Sequence, residues 1–104
     1  MRTFLQVLHD IDTEYLYTPA TFYNGLGHAP LVNLAGTNEG SCRVFTYALL
    51  VNLDEQQTLQ LFAEHYQHVL DHPDGVDHPN VRRFMLDGWP GIRFFSSALQ
   101  VRPS

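Results

Sequence analysis

The sequence has no lysine, contains one cysteine, and holds only 16% charged residues in its 104 positions. Charged residues usually make up about 25% of a globular chain, so this low content argues against a disordered protein. The single cysteine, Cys42, excludes an intramolecular disulfide and fits a reducing compartment such as the cytoplasm. The use of arginine in place of lysine is most simply a codon or lineage bias.

Long apolar runs and clusters of basic residues are also missing. No stretch approaches the ~18 consecutive apolar residues that cross a membrane, and the first residues do not form a secretory signal. The formal net charge is -5, and the only adjacent basic pair is Arg82 with Arg83. Phosphate binding requires grouped cations. We therefore expect neither a membrane nor a nucleic acid as a partner.

Hydrophobic residues are abundant enough to build the core of one domain. They make up 44% of the chain and include 7 Phe, 5 Tyr and 1 Trp. A chain of this length buries somewhat more than ~60% of its unfolded surface, so it needs no disulfide or metal to fold. No repeat, low-complexity tract or linker divides the sequence. We expect a single domain over residues 1–104.

Four segments carry the signals of helices. Apolar residues spaced by three and four positions predict an amphipathic first helix. Ser41 is a typical N-cap for an unusually apolar second helix, and Asp54 with Gln57 forms a capping-box pattern before a third. Pro79 suits the first turn of a fourth helix, which Gly88 ends. The four helices are expected over residues 3–15, 42–52, 54 to about 70, and 80–86.

Three short segments favour β-strands. Residues 20–23 end at an Asn-Gly turn, residues 31–34 are apolar, and residues 92–96 follow a Pro-Gly turn. The last of these could pair with either of the others. The predicted fold class is therefore α+β, with about four helices packed on a small antiparallel sheet.

The stretch from Asp71 to Phe94 is the most specific pattern in the chain, because it places a turn, a helix start, a helix stop and a strand at fixed spacings. Similar turn and helix-boundary residues occur earlier in the chain. The residues that carry the pattern are 17–19, Phe22, Asn24, Gly25, 35–42, Thr58, Leu59, Phe62, His72, Pro73, Asp77, His78, Asn80, Arg82, Phe84, Met85, Gly88, Trp89 and 91–94. Together they resemble the HopJ type III effector protein family over about residues 4–99.

The resemblance implies a bacterial protein consisting of a single HopJ-like domain, and it implies no catalytic residue. Members are named for delivery into host cells by type III secretion. Export signals of that kind are polar and rich in serine, whereas an amphipathic helix begins here almost at once. We therefore expect the bacterial cytoplasm as the location, with type III secretion into a host cell as the alternative.

Three histidines suggest a metal-binding face. His65, His68 and His72 are spaced i, i+3 and i+7, which places them on one side of a helix that reaches His72. Such imidazoles can bind Zn²⁺ or Ni²⁺. The chain has no H-E-x-x-H motif, however, and no cysteine is near in sequence. The alternative is that these histidines only decorate a solvent-facing surface, and no cofactor is expected.

Cys42 suggests a hydrolase-like enzyme. It falls in the first turn of a predicted helix, where the helix dipole lowers a thiol pKa, and His78 and Asp77 follow it in the chain. The opposing interpretation is that Cys42 is a buried core residue, since free cysteine is among the most buried residue types. Asp77, His78 and Asn80 would then cap a helix or fix a turn.

The aromatic segment near the C-terminus indicates an interaction surface. Phe94 and Phe95 would point to opposite faces of a strand, so one ring is exposed if one face is open to solvent. From this we expect a non-enzymatic protein-interaction domain with an unknown protein partner, or a homo-oligomer. The candidate binding residues are Asn38, Asp77, His78, Asn80, Trp89 and Arg93.

Overall fold

The computed structural model describes residues 1–103, which form five α-helices, a short 3-10 turn and five strands. None of these helices is both long and apolar enough to cross a membrane. In chain order the elements are α1 Phe4–Glu14, β1 Tyr15–Tyr17, β2 Phe22–Asn24, β3 Leu31–Asn33, α2 Glu39–Leu50, α3 Glu55–Gln60, α4 Glu64–Asp71, α5 Pro79–Asp87, the 3-10 turn Trp89–Gly91, β4 Ile92–Phe94 and β5 Leu99–Val101.

The strands form two small antiparallel sheets. A three-stranded sheet has the order β3-β2-β4, with Phe22 opposite Phe94 and Tyr23 opposite Arg93. A two-stranded sheet joins β1 to β5. The predicted α+β class is confirmed. The strands expected at residues 92–96 and 20–23 form over Ile92–Phe94 and Phe22–Asn24, and they pair with each other. The second sheet was not predicted, because its two strands are far apart in the chain.

The core is built around Phe45 of α2. Its ring lies 5.8 Å from that of Phe22, 5.3 Å from Phe62, 5.0 Å from Phe84 and 6.2 Å from Trp89. Phe22, Phe45, Phe62 and Phe84 are all fully buried. Each burial is worth several kcal/mol, since truncating a core phenylalanine typically costs about 3–5 kcal/mol. The unusually apolar second helix is therefore central, as its composition predicts.

The start of α3 follows the predicted capping chemistry. The Asp54 carboxylate accepts a hydrogen bond from the Gln57 backbone N–H at 2.7 Å, and the Gln57 side chain accepts one from the Asp54 N–H at 3.0 Å. The predicted cap of α2 is wrong: the helix begins at Glu39 after Asn38, not after Ser41. Asn38 enters it with a left-handed backbone and without a side-chain cap.

The predicted third helix is two helices, α3 and α4, separated by residues 61–63. Ala63 has φ of 53° and ψ of -122°, a conformation that L-residues rarely adopt. Tertiary contacts accompany the break. The Phe62 ring stacks on Phe4 at 5.8 Å, and the Glu64 carboxylate accepts a hydrogen bond from the Phe4 backbone N–H at 2.7 Å. The break therefore docks the start of α4 against the start of α1.

Replacing Ala63 with glycine is expected to raise the free energy of unfolding by about 1 kcal/mol, because glycine adopts this backbone without a Cβ clash. Ala48→Gly is the matched control. Ala48 is buried within α2, where glycine should lower the free energy of unfolding by about 1 kcal/mol or more. Urea unfolding measures both. A loss of stability in Ala63→Gly would contradict backbone strain at the break.

Candidate functional site

A cleft of about 300 Å³ lies where the starts of α1, α2, α4 and α5 come together. Polar side chains at these helix starts and the rings of Phe4 and Phe62 together line the cleft. The lining residues used below are Phe4, Asn38, Phe62, His65, His78 and Asn80.

Two left-handed residues bring the chain into this cleft. Asn38 precedes α2 with φ of 48°, and His78 precedes α5 with φ of 49°. Asparagine tolerates this conformation better than most residues, whereas for histidine it is less common. Pro79 follows as the first residue of α5, as predicted, and fixes the direction of the helix.

Asparagine side-chain amides hold the starts of α2 and α5 against the three-stranded sheet. Asn80 donates to Asn33 at 2.8 Å and accepts from it at 3.1 Å. Asn24 donates to the Asn80 side-chain oxygen at 3.1 Å and to the Asn80 backbone carbonyl at 2.9 Å. Asn38 donates to the Asn33 side-chain oxygen at 2.7 Å. We call Asn24, Asn33, Asn38 and Asn80 the asparagine network.

A cluster of histidines and one aspartate forms the rim of the cleft. His68 Nε2 lies 2.7 Å from Asp77 Oδ2, and His78 Nε2 lies 4.0 Å from the same oxygen. Arg82 donates to the other carboxylate oxygen of Asp77 at 2.7 Å and to its backbone carbonyl at 2.6 Å. The same guanidinium donates to the His72 carbonyl at 2.8 Å. Arg82 thus fixes the loop that carries Asp77.

Neighbouring groups lower the pKa values of two members of this cluster. The hydrogen bond from Arg82 lowers the pKa of the Asp77 carboxyl below its usual range. Burial, followed by the neighbouring His65, lowers the pKa of the His78 imidazole. Near pH 7 both effects favour a charged carboxylate beside a neutral imidazole.

The comparisons with known proteins assign the family. The model of the HopJ type III effector protein family matches residues 1–99. The chain belongs to the HopJ family. A crystal structure titled as that of the unknown function protein VPA0580 is similar, with a TM-score of 0.90 and 42% sequence identity over 96% of this chain and 81% of that chain. No match was found among curated proteins.

In this HopJ chain the three histidines of the predicted metal face, His65, His68 and His72, do not form one cluster. His65 lies against Phe4 at 4.6 Å and against His78 at 4.7 Å between ring centroids. His72 stacks on His68 at 4.3 Å, and its Nδ1 donates to the His68 carbonyl at 2.9 Å. Within residues 1–103, the group whose ligand atoms all lie within 4.8 Å of one another is instead His68, Asp77 and His78.

Cys42 does not join His78 and Asp77 in this HopJ protein. The residue is 1% exposed, and its thiol lies 3.6 Å from the Ala20 carbonyl oxygen, to which it donates. No imidazole in the described part of the chain hydrogen bonds this sulfur. Burial raises the pKa of the thiol, the opposite of what an activated nucleophile requires. The arrangement does not support the hydrolase hypothesis, because the Cys42 side chain faces the core.

Besides Asn38 and Asp77, two more of the candidate binding residues have structural partners. Asn80 is buried in the asparagine network. Trp89 donates from its indole nitrogen to the Leu53 carbonyl at 3.1 Å and packs edge-on against Phe84 at 4.9 Å. Asn24 and Asn33 were missed by sequence reasoning. Asparagine is depleted in strands, so the place of Asn33 in the predicted strand at residues 31–34 was an available signal, whereas Asn24 was assigned to the turn after residues 20–23.

Arg93 lies instead on the solvent-facing side of the three-stranded sheet. Its strand partner is Tyr23, whose other strand partner is Val32, so the three side chains share one face. The Phe95 ring contacts Tyr23 edge-on at 4.9 Å, whereas the Phe94 ring stacks on buried Phe22 at the same distance. The predicted opposition of the two phenylalanines is confirmed. We call Tyr23, Val32, Arg93 and Phe95 the outer sheet face.

Replacing Asn80 with alanine is expected to lower the free energy of unfolding by about 2–4 kcal/mol, because the Asn24 and Asn33 amides then lose buried partners. Asn38→Gly is the matched control. It removes an exposed amide of the same network and keeps the left-handed backbone, so a change within about 0.5 kcal/mol is expected. Chemical denaturation measures both. Equal effects would contradict the role given to Asn80.

The Cys42 thiol of the native protein is expected to react with a thiol reagent about a hundredfold more slowly than in denaturant, since only opening of the fold exposes it. The measurement is the labelling rate from pH 6 to 9, with a cysteine-containing peptide as control. Rapid labelling of folded protein below the usual thiol pKa would contradict the buried assignment and restore the enzyme hypothesis.

Proposed function

We propose that this HopJ protein is a non-enzymatic protein-interaction domain that binds its partner through the outer sheet face. The observation that supports the proposal is Phe95, a large apolar ring that is 59% exposed beside Tyr23 and Arg93. Tyrosine and arginine are enriched among the residues that dominate binding energy at protein interfaces, and buried aromatic anchors fill the centres of such surfaces.

The sheet around these side chains is open to a partner. Val32 on β3 is 54% exposed, so the face extends across all three strands, with Arg93 on β4 and the Phe95 ring just after β4. β3 and β4 are the edges of the sheet, and an edge strand presents backbone groups that a partner can pair with. A face of this kind offers both side-chain contacts and backbone hydrogen bonds.

The charges favour a different protein over a second copy of this chain. No carboxylate among residues 1–103 forms an ion pair with Arg93. The chain itself carries a formal net charge of -5, which opposes self-association. We therefore assign the face to a partner whose apolar patch carries an aspartate or glutamate that pairs with Arg93.

The description of the HopJ family as type III effectors bears on where the partner resides. Before secretion the partner belongs to the bacterial cytoplasm, and after secretion it belongs to a host cell. Cross-linking in bacteria grown with and without host cells distinguishes the two locations, because an adduct formed only with host contact contains a host protein.

A photo-reactive phenylalanine in place of Phe95 is expected to give one adduct of defined mass in the producing cell. Adding Arg93→Glu should reduce the adduct by about tenfold, since a reversed charge opposite a carboxylate costs more than 1.4 kcal/mol. Arg93→Lys, which keeps the charge, should retain most of it.

The matched control places the same photo-reactive residue at Leu86, which is 80% exposed on α5, away from this sheet. Three results contradict the proposal: the same adduct from position 86, an adduct that Arg93→Glu does not change, or no adduct at position 95. An adduct with twice the mass of the chain assigns the face to a second copy.

A further inference from the structure

We propose that His68, Asp77 and His78 form a binding site for a divalent transition-metal ion, with Zn²⁺ as the best-matched occupant. The site is independent of the outer sheet face. Two imidazole nitrogens and one carboxylate oxygen form a ligand set that suits Zn²⁺, and also Ni²⁺ and Co²⁺. Softer ions that require thiolate are not candidates, because the only cysteine is buried against Ala20.

The distances between the ligand atoms are close to those that zinc imposes. Zinc binds histidine nitrogen and carboxylate oxygen at about 2.0–2.2 Å, so two ligands of a tetrahedral ion stand about 3.4 Å apart. The observed separations from Asp77 Oδ2 are 2.7 Å to His68 Nε2 and 4.0 Å to His78 Nε2. Each needs a change of less than about 1 Å, which side-chain rotations supply.

A hydrogen bond from Arg82 already orients the Asp77 carboxylate. Arg82 donates to Asp77 Oδ1 at 2.7 Å, which leaves Oδ2 as the oxygen that faces the two imidazoles. The Arg82 side chain is only 15% exposed and is also tied to the backbone carbonyls of Asp77 and His72. Such outer-shell contacts typically fix the orientation of ligands and raise metal affinity by about 10- to 100-fold.

A simple ion pair between His68 and Asp77 does not account for the whole cluster. It leaves unexplained why a second imidazole nitrogen, that of His78, lies 4.0 Å from the same carboxylate oxygen. The three side chains also keep one side open to solvent, so water can complete the coordination. Three protein ligands with an open position are typical of exchangeable or reactive zinc sites, whereas structural sites have four protein ligands.

Calorimetric titration of the untagged protein with Zn²⁺ alone tests the site. One ion should bind per chain, and His68→Ala, Asp77→Asn and His78→Ala should each weaken binding by at least about tenfold. His28→Ala removes an exposed histidine elsewhere on the surface and should change the affinity by less than about twofold. Thermal unfolding of each variant without metal confirms that it folds.

Two further variants separate this site from the histidine face that the helical spacing suggests. His65→Ala and His72→Ala should weaken Zn²⁺ binding far less than Asp77→Asn. On metal addition, the imidazole nitrogen resonances of His68 and His78 should shift first. The proposal is overturned if no saturable binding occurs, if Asp77→Asn and His78→Ala leave the affinity unchanged, or if loss of His65 or His72 has the largest effect.

Discussion

The buried amides of Asn24, Asn33 and Asn80 are the interaction on which the arrangement of this molecule depends. They join β2, β3 and the start of α5, and Asn38 extends the contacts to the start of α2. The side-chain N–H groups of all three residues donate to a partner in this network, whereas the Asn24 side-chain oxygen is buried without a partner among the described residues. An unpaired polar group in the interior is costly, so the N–H groups of these side chains depend on the other members. The network therefore sets the position of two helix starts relative to the sheet.

Both proposed sites depend on this arrangement. His78 lies two residues before Asn80, so the network fixes it at the rim of the cleft, while Arg82 fixes Asp77 from the other side. Successive side chains of β2 point to opposite faces of the sheet, so this strand contributes to both surfaces. Asn24 points inward to the network and Tyr23 points outward to the interaction face. One short strand thus contributes both to the asparagine network and to the outer sheet face.

Local sequence signals were sufficient to predict those features that depend on neighbouring residues. The Asp54 capping box, Pro79 at the start of α5 and Gly88 at its end all depend on residues within a few positions. The break at Ala63 was not predictable, because alanine favours helices and the contacts of Phe62 and Glu64 with Phe4 that accompany it are distant in sequence. Helical spacing also could not group His68 with His78, because a loop between α4 and α5 brings them together.

Side-chain amide hydrogen exchange, measured by NMR, tests the central role of the asparagine network most directly. Exchange from the amides of Asn24, Asn33 and Asn80 should be slowed as much as that of core backbone amides, because all three are buried and donate hydrogen bonds. Asn52, which is exposed after α2, should exchange freely. Equally fast exchange at all four positions would contradict the account.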